Sequence, residues 1–160
     1  MFSSDEIIDL AIQIEKNALR VYRKALNTTE DPDLTLLINW LIEDENRHVE
    51  WFTALREFVK KTAVDDPKIF EIGRAILRDT VADARFSLAG ADFDKMSETN
   101  ELLGLAADFE KDKAQFFTLL RPFVVDAETL TDLDVIIAEE QRHADHLMHF
   151  IATNRVADLF

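Results

Sequence analysis

The chain alternates long stretches of helical hydrophobic periodicity with short polar breaks. Along five stretches, apolar residues recur every three or four positions, the spacing that places side chains on one face of an α-helix. Only three glycines and three prolines occur among the 160 residues. Because helix breakers are this rare and strong helix formers are common, we predict an all-α protein with long helices.

The polar breaks set the predicted helix boundaries. Ser3 and Glu6 can form a capping box at the start of the first helix. Asp31, followed by Pro32, and Asp126 are suited to cap the second and the last helix. The predicted helices cover about residues 3–26, 32–61, 68–89 and 98–121, and from 127 towards the C-terminus.

Four of the five apolar stripes are interrupted by a glutamate, and in two of them a histidine follows three residues later. An ionised carboxylate on a buried stripe is costly unless it is paired or binds a metal. A single Glu-x-x-His is more often a salt-bridged helix face. The metal-site interpretation therefore depends on the motif occurring twice. Residues 43, 44, 46, 47 and 50 fall off the stripe and can lie in solvent. The interrupting residues are Glu15, Glu45, His48, Glu110, Glu140 and His143.

The interruptions repeat along the chain. Glu45 and Glu140 lie 95 positions apart, and the same offset relates Glu15 to Glu110. Residues 12–55 and 107–150 therefore look like a duplicated half. We predict one domain over residues 1–160, made of a first helical hairpin at about 3–61, a crossover helix within about 62–97, and a second hairpin at about 98–155.

Four carboxylates and two imidazoles that converge inside a bundle would repel one another without cations. Two divalent ions would set four positive charges against the four glutamates. Oxygen and imidazole ligands suit iron or manganese, whereas structural zinc sites more often use thiolates. The chain has no cysteine, which also excludes disulfides and iron–sulfur clusters. We therefore predict a centre of two iron ions, with manganese or a mixed pair as alternatives.

Three further residues could be drawn into such a site. Tyr22 shares the stripe of Glu15. An ordinary core tyrosine is the simpler interpretation, and a hydrogen-bond donor near the site is the sharper one. His146 and His149 follow His143 at three-residue steps, but each step drifts by about 60° around a helix. We interpret both as non-ligands.

The ligand-bearing stretches resemble the rubrerythrin branch of the ferritin-like superfamily. Residues 11–18 and 108–112 look like the first and third ligand helices of that family, and the two Glu-x-x-His motifs look like the second and fourth. The resemblance covers nearly the whole chain. It implies a ferritin-like four-helix bundle with an additional crossover helix, and a non-haem di-iron centre that reduces peroxide with electrons from an attached rubredoxin domain.

The resemblance also implies a role for each ligand. Glu45 and Glu140 would bridge the two metals, Glu15 and Glu110 would be terminal, and each histidine would hold one metal. Two departures matter. The rubredoxin domain is absent, because the chain has no cysteine. The family's extra glutamate, which exchanges with a histidine ligand as iron changes oxidation state, is replaced by Lys113. We expect a simpler and symmetric site, closer to a ferroxidase centre or to rubredoxin-less relatives.

Three functions remain open from the sequence. The first is a di-iron oxidoreductase, a peroxidase or oxidase that uses O₂ or H₂O₂ and an external electron donor such as a separate rubredoxin. The second is a ferroxidase or iron-handling protein without a ferritin cage, since little chain follows the last ligand helix. The third is a non-catalytic scaffold that metal stabilises.

Charge and hydropathy restrict the expected partners. The net charge of −14 argues against non-specific nucleic-acid binding. No apolar run approaches the roughly 20 residues of a membrane span, and the N-terminus lacks the pattern of a signal peptide. We expect a cytoplasmic protein and a homodimer. If the third helix ran straight on from the second, the hairpins could exchange between chains in a domain swap.

Overall fold

The structure, a computed structural model, describes residues 2–59, 63–64, 67–82 and 96–160. Within these ranges the chain is mostly α-helical, with two strands of two residues each, one short 3₁₀ helix (Arg121–Phe123), the turns between helices, and a non-helical stretch over 154–160. This agrees with the predicted all-α class. The helices are α1 (Ser4–Thr28), α2 (Pro32–Phe58), α3 (Pro67–Ala82), α4 (Met96–Thr118) and α5 (Ala127–Thr153), and the strands are β1 (Phe2–Ser3) and β2 (Ala63–Val64).

Side-chain caps begin the helices where the sequence predicted them. The backbone nitrogen of Ser3 donates to Glu6 Oε2 at 2.7 Å, as in a capping box. Asp31 Oδ1 accepts from the backbone of α2 at Asp33, 2.9 Å away, and Asp126 Oδ2 accepts from Thr129 at 2.8 Å. Each bond satisfies a backbone donor that the first turn leaves without a partner.

The crossover contains the predicted third helix, which begins at Pro67, but α2 ends earlier than predicted. Helix α2 ends at Phe58, short of the predicted residue 61, and the backbone nitrogen of Val59 caps its last turn. β2 then pairs antiparallel with β1 at the start of the chain. α3 packs against α1 and α4, so it returns along the bundle and does not extend α2. The predicted end of the third helix near residue 89, and Gly90, lie outside the described residues.

Two helical hairpins form the core. α1 packs on α2 and α4 packs on α5, with further contacts between α2 and α5. Fully buried apolar side chains fill the space between them, among them Ile7, Ile14, Leu37, Phe52, Phe117 and Leu147. In the described part of the chain, no helix is both long and apolar enough to cross a membrane.

Candidate metal centre

Four helices each contribute to one buried polar cluster. α1 provides a glutamate, α4 provides a second, and α2 and α5 each provide one Glu-x-x-His pair. The structure brings all of the sequence-predicted ligand residues together, and each has no exposed surface. The side chains are those of Glu15, Glu45, His48, Glu110, Glu140 and His143.

The cluster divides into two overlapping sets, each with ligand atoms that lie within 4.8 Å of one another. Two glutamates belong to both sets, each set has one further glutamate, and each has one histidine. Either set could hold a metal ion. The first set is Glu15, Glu45, His48 and Glu140, and the second is Glu45, Glu110, Glu140 and His143.

In the first set, the four inward atoms have no hydrogen-bond partner within the described residues. His48 Nδ1 lies 2.8 Å from Glu140 Oε1, 3.3 Å from Glu15 Oε1 and 3.5 Å from Glu45 Oε2. None of these contacts has the direction of a hydrogen bond. A buried polar atom left without a partner costs about 1–3 kcal/mol, and more if it is charged. Four such atoms around one point therefore fit a cation.

Two carboxylates outside the ligand sets, those of Asp44 and Glu139, hold the two histidine rings; we call them the outer carboxylates. His48 Nε2 lies 2.8 Å from Glu139 Oε2, and His143 Nε2 lies 3.0 Å from Asp44 Oδ2. With a metal bound, the one remaining ring proton would lie on Nε2, which donates to the carboxylate, and the Nδ1 lone pair would face the centre. Metal-binding histidines are commonly held in this way. Each carboxylate comes from the opposite hairpin, so these bonds also join the two halves.

The outer carboxylates were missed from the sequence. The expectation that Asp44 can lie in solvent was wrong, because this residue is 8% exposed and contacts His143. The sequence did contain a signal for them. An acidic residue directly precedes the glutamate of each Glu-x-x-His motif, and these two residues, Asp44 and Glu139, are related by the same offset of 95 positions. Arg47 pairs with Asp44 and lies 3.2 Å from Glu139 Oε1, so one guanidinium joins the two outer carboxylates.

Tyr22 contacts the cluster, whereas His146 and His149 belong to neither ligand set. The hydroxyl of Tyr22 donates to Glu110 Oε1 in the buried interior. Burial and the neighbouring Glu110 raise the pKa of this tyrosine well above its usual value, so the hydroxyl keeps its proton. His146 and His149 belong to neither ligand set, and the His146 ring lies 4.6 Å from the ring of Trp40.

Lys113 enters the centre, and the expected symmetry is therefore wrong. The lysine has no exposed surface. Its Nζ lies 2.8 Å from Glu15 Oε2, 2.7 Å from Glu45 Oε1, 3.1 Å from Glu110 Oε2 and 3.0 Å from Glu140 Oε2. One ammonium thus contacts a carboxylate oxygen from each of the four helices. An offset of 95 positions relates Lys113 to Ala18 in α1, so the first hairpin has no counterpart.

Burial and the nearby Lys113 shift the pKa values of the four carboxyl groups in opposite directions, two upwards and two downwards. Burial raises the pKa of Glu15 well above its usual value, and raises the pKa of Glu110 to about 8. Burial also acts to raise the pKa of Glu45 and Glu140, but the nearby Lys113 ammonium and hydrogen bonds with His143 lower both well below the usual value. A metal that binds near neutral pH must therefore displace protons from this cluster.

The histidines carry protons in the metal-free cluster. Burial alone would lower the pKa of both imidazoles. The surrounding carboxylates outweigh it: Glu140 and Glu139 raise the pKa of His48, and Asp44 and Glu110 raise that of His143. The Nε2 proton is the one that the outer carboxylates hold in place, and the Nδ1 proton is the one that a metal would displace.

Comparisons with protein-family models, with curated proteins and with solved structures yield no match for this chain. The donor set and its geometry are therefore the basis on which a function is proposed.

Proposed function

We propose that this chain is a rubrerythrin-like, ferritin-like non-haem metalloprotein that reacts with O₂ or H₂O₂. The single observation that carries the proposal is the pair of overlapping glutamate–histidine sets, with four unpartnered atoms in the first. Carboxylate and imidazole donors suit iron, with manganese as an alternative. When bound, such a redox-active metal supplies electrons to the oxidant.

The protein residues would each have a defined task. Glu45 and Glu140 belong to both sets, which is what bridging ligands require. Glu15 and Glu110 each belong to one set, as terminal ligands do. The bond from Tyr22 fixes the orientation of Glu110. The apolar stripes around these side chains keep bulk water from the centre, which strengthens every electrostatic contact inside it.

The centre needs a source of electrons outside these 160 residues. Reduction of H₂O₂ to two waters consumes two electrons and two protons, and the metals must then be reduced again. The chain has no cysteine and therefore no rubredoxin-type iron site. We propose an external donor such as a rubredoxin.

The test is a stopped-flow experiment on protein loaded anaerobically with Fe(II). Mixing with H₂O₂ or O₂ should give one fast phase in the near-ultraviolet absorbance, followed by a stall until a separate rubredoxin with its reductase is added. Sustained turnover with NADH alone would contradict the need for that donor. His48→Ala should lose the fast phase, and His146→Ala should retain it. An Fe(II)-loaded protein that reacts no faster than free Fe(II) would contradict the proposed function.

One observation favours a second candidate, a scaffold whose cluster is structural. Lys113 already supplies a cation to all four carboxylates. A structural centre would bind metal and gain thermal stability without any fast reaction with either oxidant. The stopped-flow experiment and a melting curve on the same preparation separate the two candidates.

A further inference from the structure

Lys113 contacts the oxygens that the second set would offer to a metal. The carboxylate oxygens nearest His143 Nδ1 are Glu140 Oε2 at 3.2 Å, Glu45 Oε1 at 3.3 Å and Glu110 Oε2 at 3.5 Å. The same three atoms lie 2.7–3.1 Å from Lys113 Nζ. The ammonium and a metal at His143 would therefore compete for the same lone pairs.

The first set uses the other oxygen of each shared glutamate. His48 Nδ1 faces Oε1 of Glu140 and Oε2 of Glu45, and neither oxygen accepts a hydrogen bond from the ammonium. Glu15 is divided in the same way: Oε2 receives Lys113, whereas Oε1 faces His48. All four inward atoms of this set lack a hydrogen-bond partner among the residues described, whereas in the second set only Glu110 Oε2 lacks one.

We propose that Lys113 is an internal cation that takes the place of one metal ion. The first divalent ion binds at Glu15, Glu45, His48 and Glu140, and a second binds at His143 only when the ammonium withdraws. The inference rests on the metal binding that the proposed function requires, and it does not depend on any reaction with an oxidant.

Withdrawal of the lysine opposes the second ion for two physical reasons. The ammonium has no exposed surface, so moving it away from four carboxylates leaves a charge in a low-dielectric interior unless the side chain reaches water. If the ammonium stays, it repels a divalent ion at close range. The two positions therefore differ in affinity, although the duplicated ligands are the same in kind.

The test counts bound ions by anaerobic titration of the metal-free protein with Mn²⁺, followed by electron paramagnetic resonance. The wild-type protein should bind one Mn²⁺ tightly, with the spectrum of an isolated ion. Lys113→Met should bind two, with the spectrum of a coupled pair, and its second affinity should rise at least tenfold. Lys111→Met, at an exposed position in the same helix, is the matched control and should behave as the wild type.

Two further variants locate the tight ion. His48→Ala should abolish tight binding in the wild-type background, and His143→Ala should leave it in place. Lys113→Gln is a second neutral variant, and each variant is first shown to melt cooperatively.

The outcomes separate this inference from the proposed function. Two equal ions in both wild type and Lys113→Met would overturn the role of the lysine and leave the proposed metal centre standing. One ion in both neutral variants would also overturn it. If neither the wild type nor the neutral variants bind Mn²⁺, the proposed function fails as well.

Discussion

Asp44 and Glu139 are the single residues that most strongly connect the polar cluster to metal binding. Each accepts from Nε2 of a histidine whose Nδ1 faces the centre. A structural ion pair has no need of this division of the two ring nitrogens, whereas a metal ligand does.

We therefore predict that Asp44→Ala, made in the Lys113→Met background, weakens the affinity for the second ion roughly 10- to 100-fold, because His143 loses the carboxylate that holds its ring. Competition with a chromophoric chelator measures the affinity. Glu43→Ala is the control, since Glu43 is the exposed neighbour on the same helix. Equal losses in the two variants would show that Asp44 acts only through general surface charge.

Lys113 gives a second prediction at this scale. Removing one partner of a buried ion pair typically costs about 3–5 kcal/mol. Metal-free Lys113→Met should therefore lose about this much unfolding free energy, and a divalent metal should restore most of it because it replaces the missing cation. Urea denaturation with chelator and with Mn²⁺ measures both values. A loss that metal cannot restore would indicate a packing defect.

The raised carboxyl pKa values predict how stability changes with pH. Glu110 has a folded pKa of about 8 against an ordinary 4.5, so the folded metal-free protein holds a proton there that the unfolded chain has released. The stabilisation is complete below pH 4.5 and is lost as the pH rises towards 8. Glu15 and both histidines, whose pKa values are also raised, act in the same direction.

Melting curves of the metal-free protein between pH 5 and pH 9 measure this effect. The melting temperature should fall as the pH rises, and the gain from added metal should grow over the same range. Glu110→Gln, which mimics the protonated group, should flatten the slope of the metal-free protein. A metal-free melting temperature that rises steadily to pH 9 would contradict the assignment.

The sequence predicted the six ligand residues because helical periodicity and the 95-residue offset are visible in one dimension. It did not predict the position of Lys113. A lysine side chain is long and flexible, and whether it reaches four carboxylates depends on how the other three ligand helices converge on α4. The same holds for Asp44, whose partner belongs to the opposite hairpin.

At the level of elements, the caps and the start of the crossover helix were predictable, whereas the end of α2 and the strand pairing were not. Asp31 and Asp126 act on backbone groups within three residues, so local sequence specifies them. Phe2 pairs with Val64 across the two short strands, a long-range contact that no local pattern indicates. This pairing brings the start of the crossover beside the start of α1.

Two glycines offer a matched test of how α3 packs. A Cβ on Gly73 would lie 2.8 Å from Cζ of the fully buried Phe116, whereas a Cβ on Gly104 would meet nothing within 4 Å. Gly104→Ala should stabilise by up to about 1 kcal/mol through helix propensity. Gly73→Ala should destabilise by about 1–3 kcal/mol, because overpacking outweighs the same gain. Chemical denaturation of both variants measures the difference, and equal stabilisation would place α3 away from Phe116.

For the whole molecule, the ligand set is complete only where the two hairpins pack together. Each hairpin carries half of the ligand residues, and in this structure both halves belong to one chain. Homodimer formation stays a prediction, to be checked by sedimentation.

Co-refolding Glu45→Ala chains with Glu140→Ala chains tests whether hairpins exchange. We expect no rescue of metal binding, because α3 packs back on α1 of its own chain and each chain keeps its own lesion. In a swapped dimer, the two unmutated hairpins would rebuild one intact site. Metal binding recovered on mixing would therefore establish the swap.

Thermal melting with and without metal determines whether the buried glutamate–histidine cluster is a metal centre. One preparation is melted anaerobically at neutral pH, with chelator and with Fe(II) or Mn(II) at about 100 times the dissociation constant. Binding to the folded state alone adds about 2.7 kcal/mol, which raises the melting temperature by roughly 5–10 °C for a chain of this size. Equal melting temperatures with chelator and with saturating metal would contradict the account.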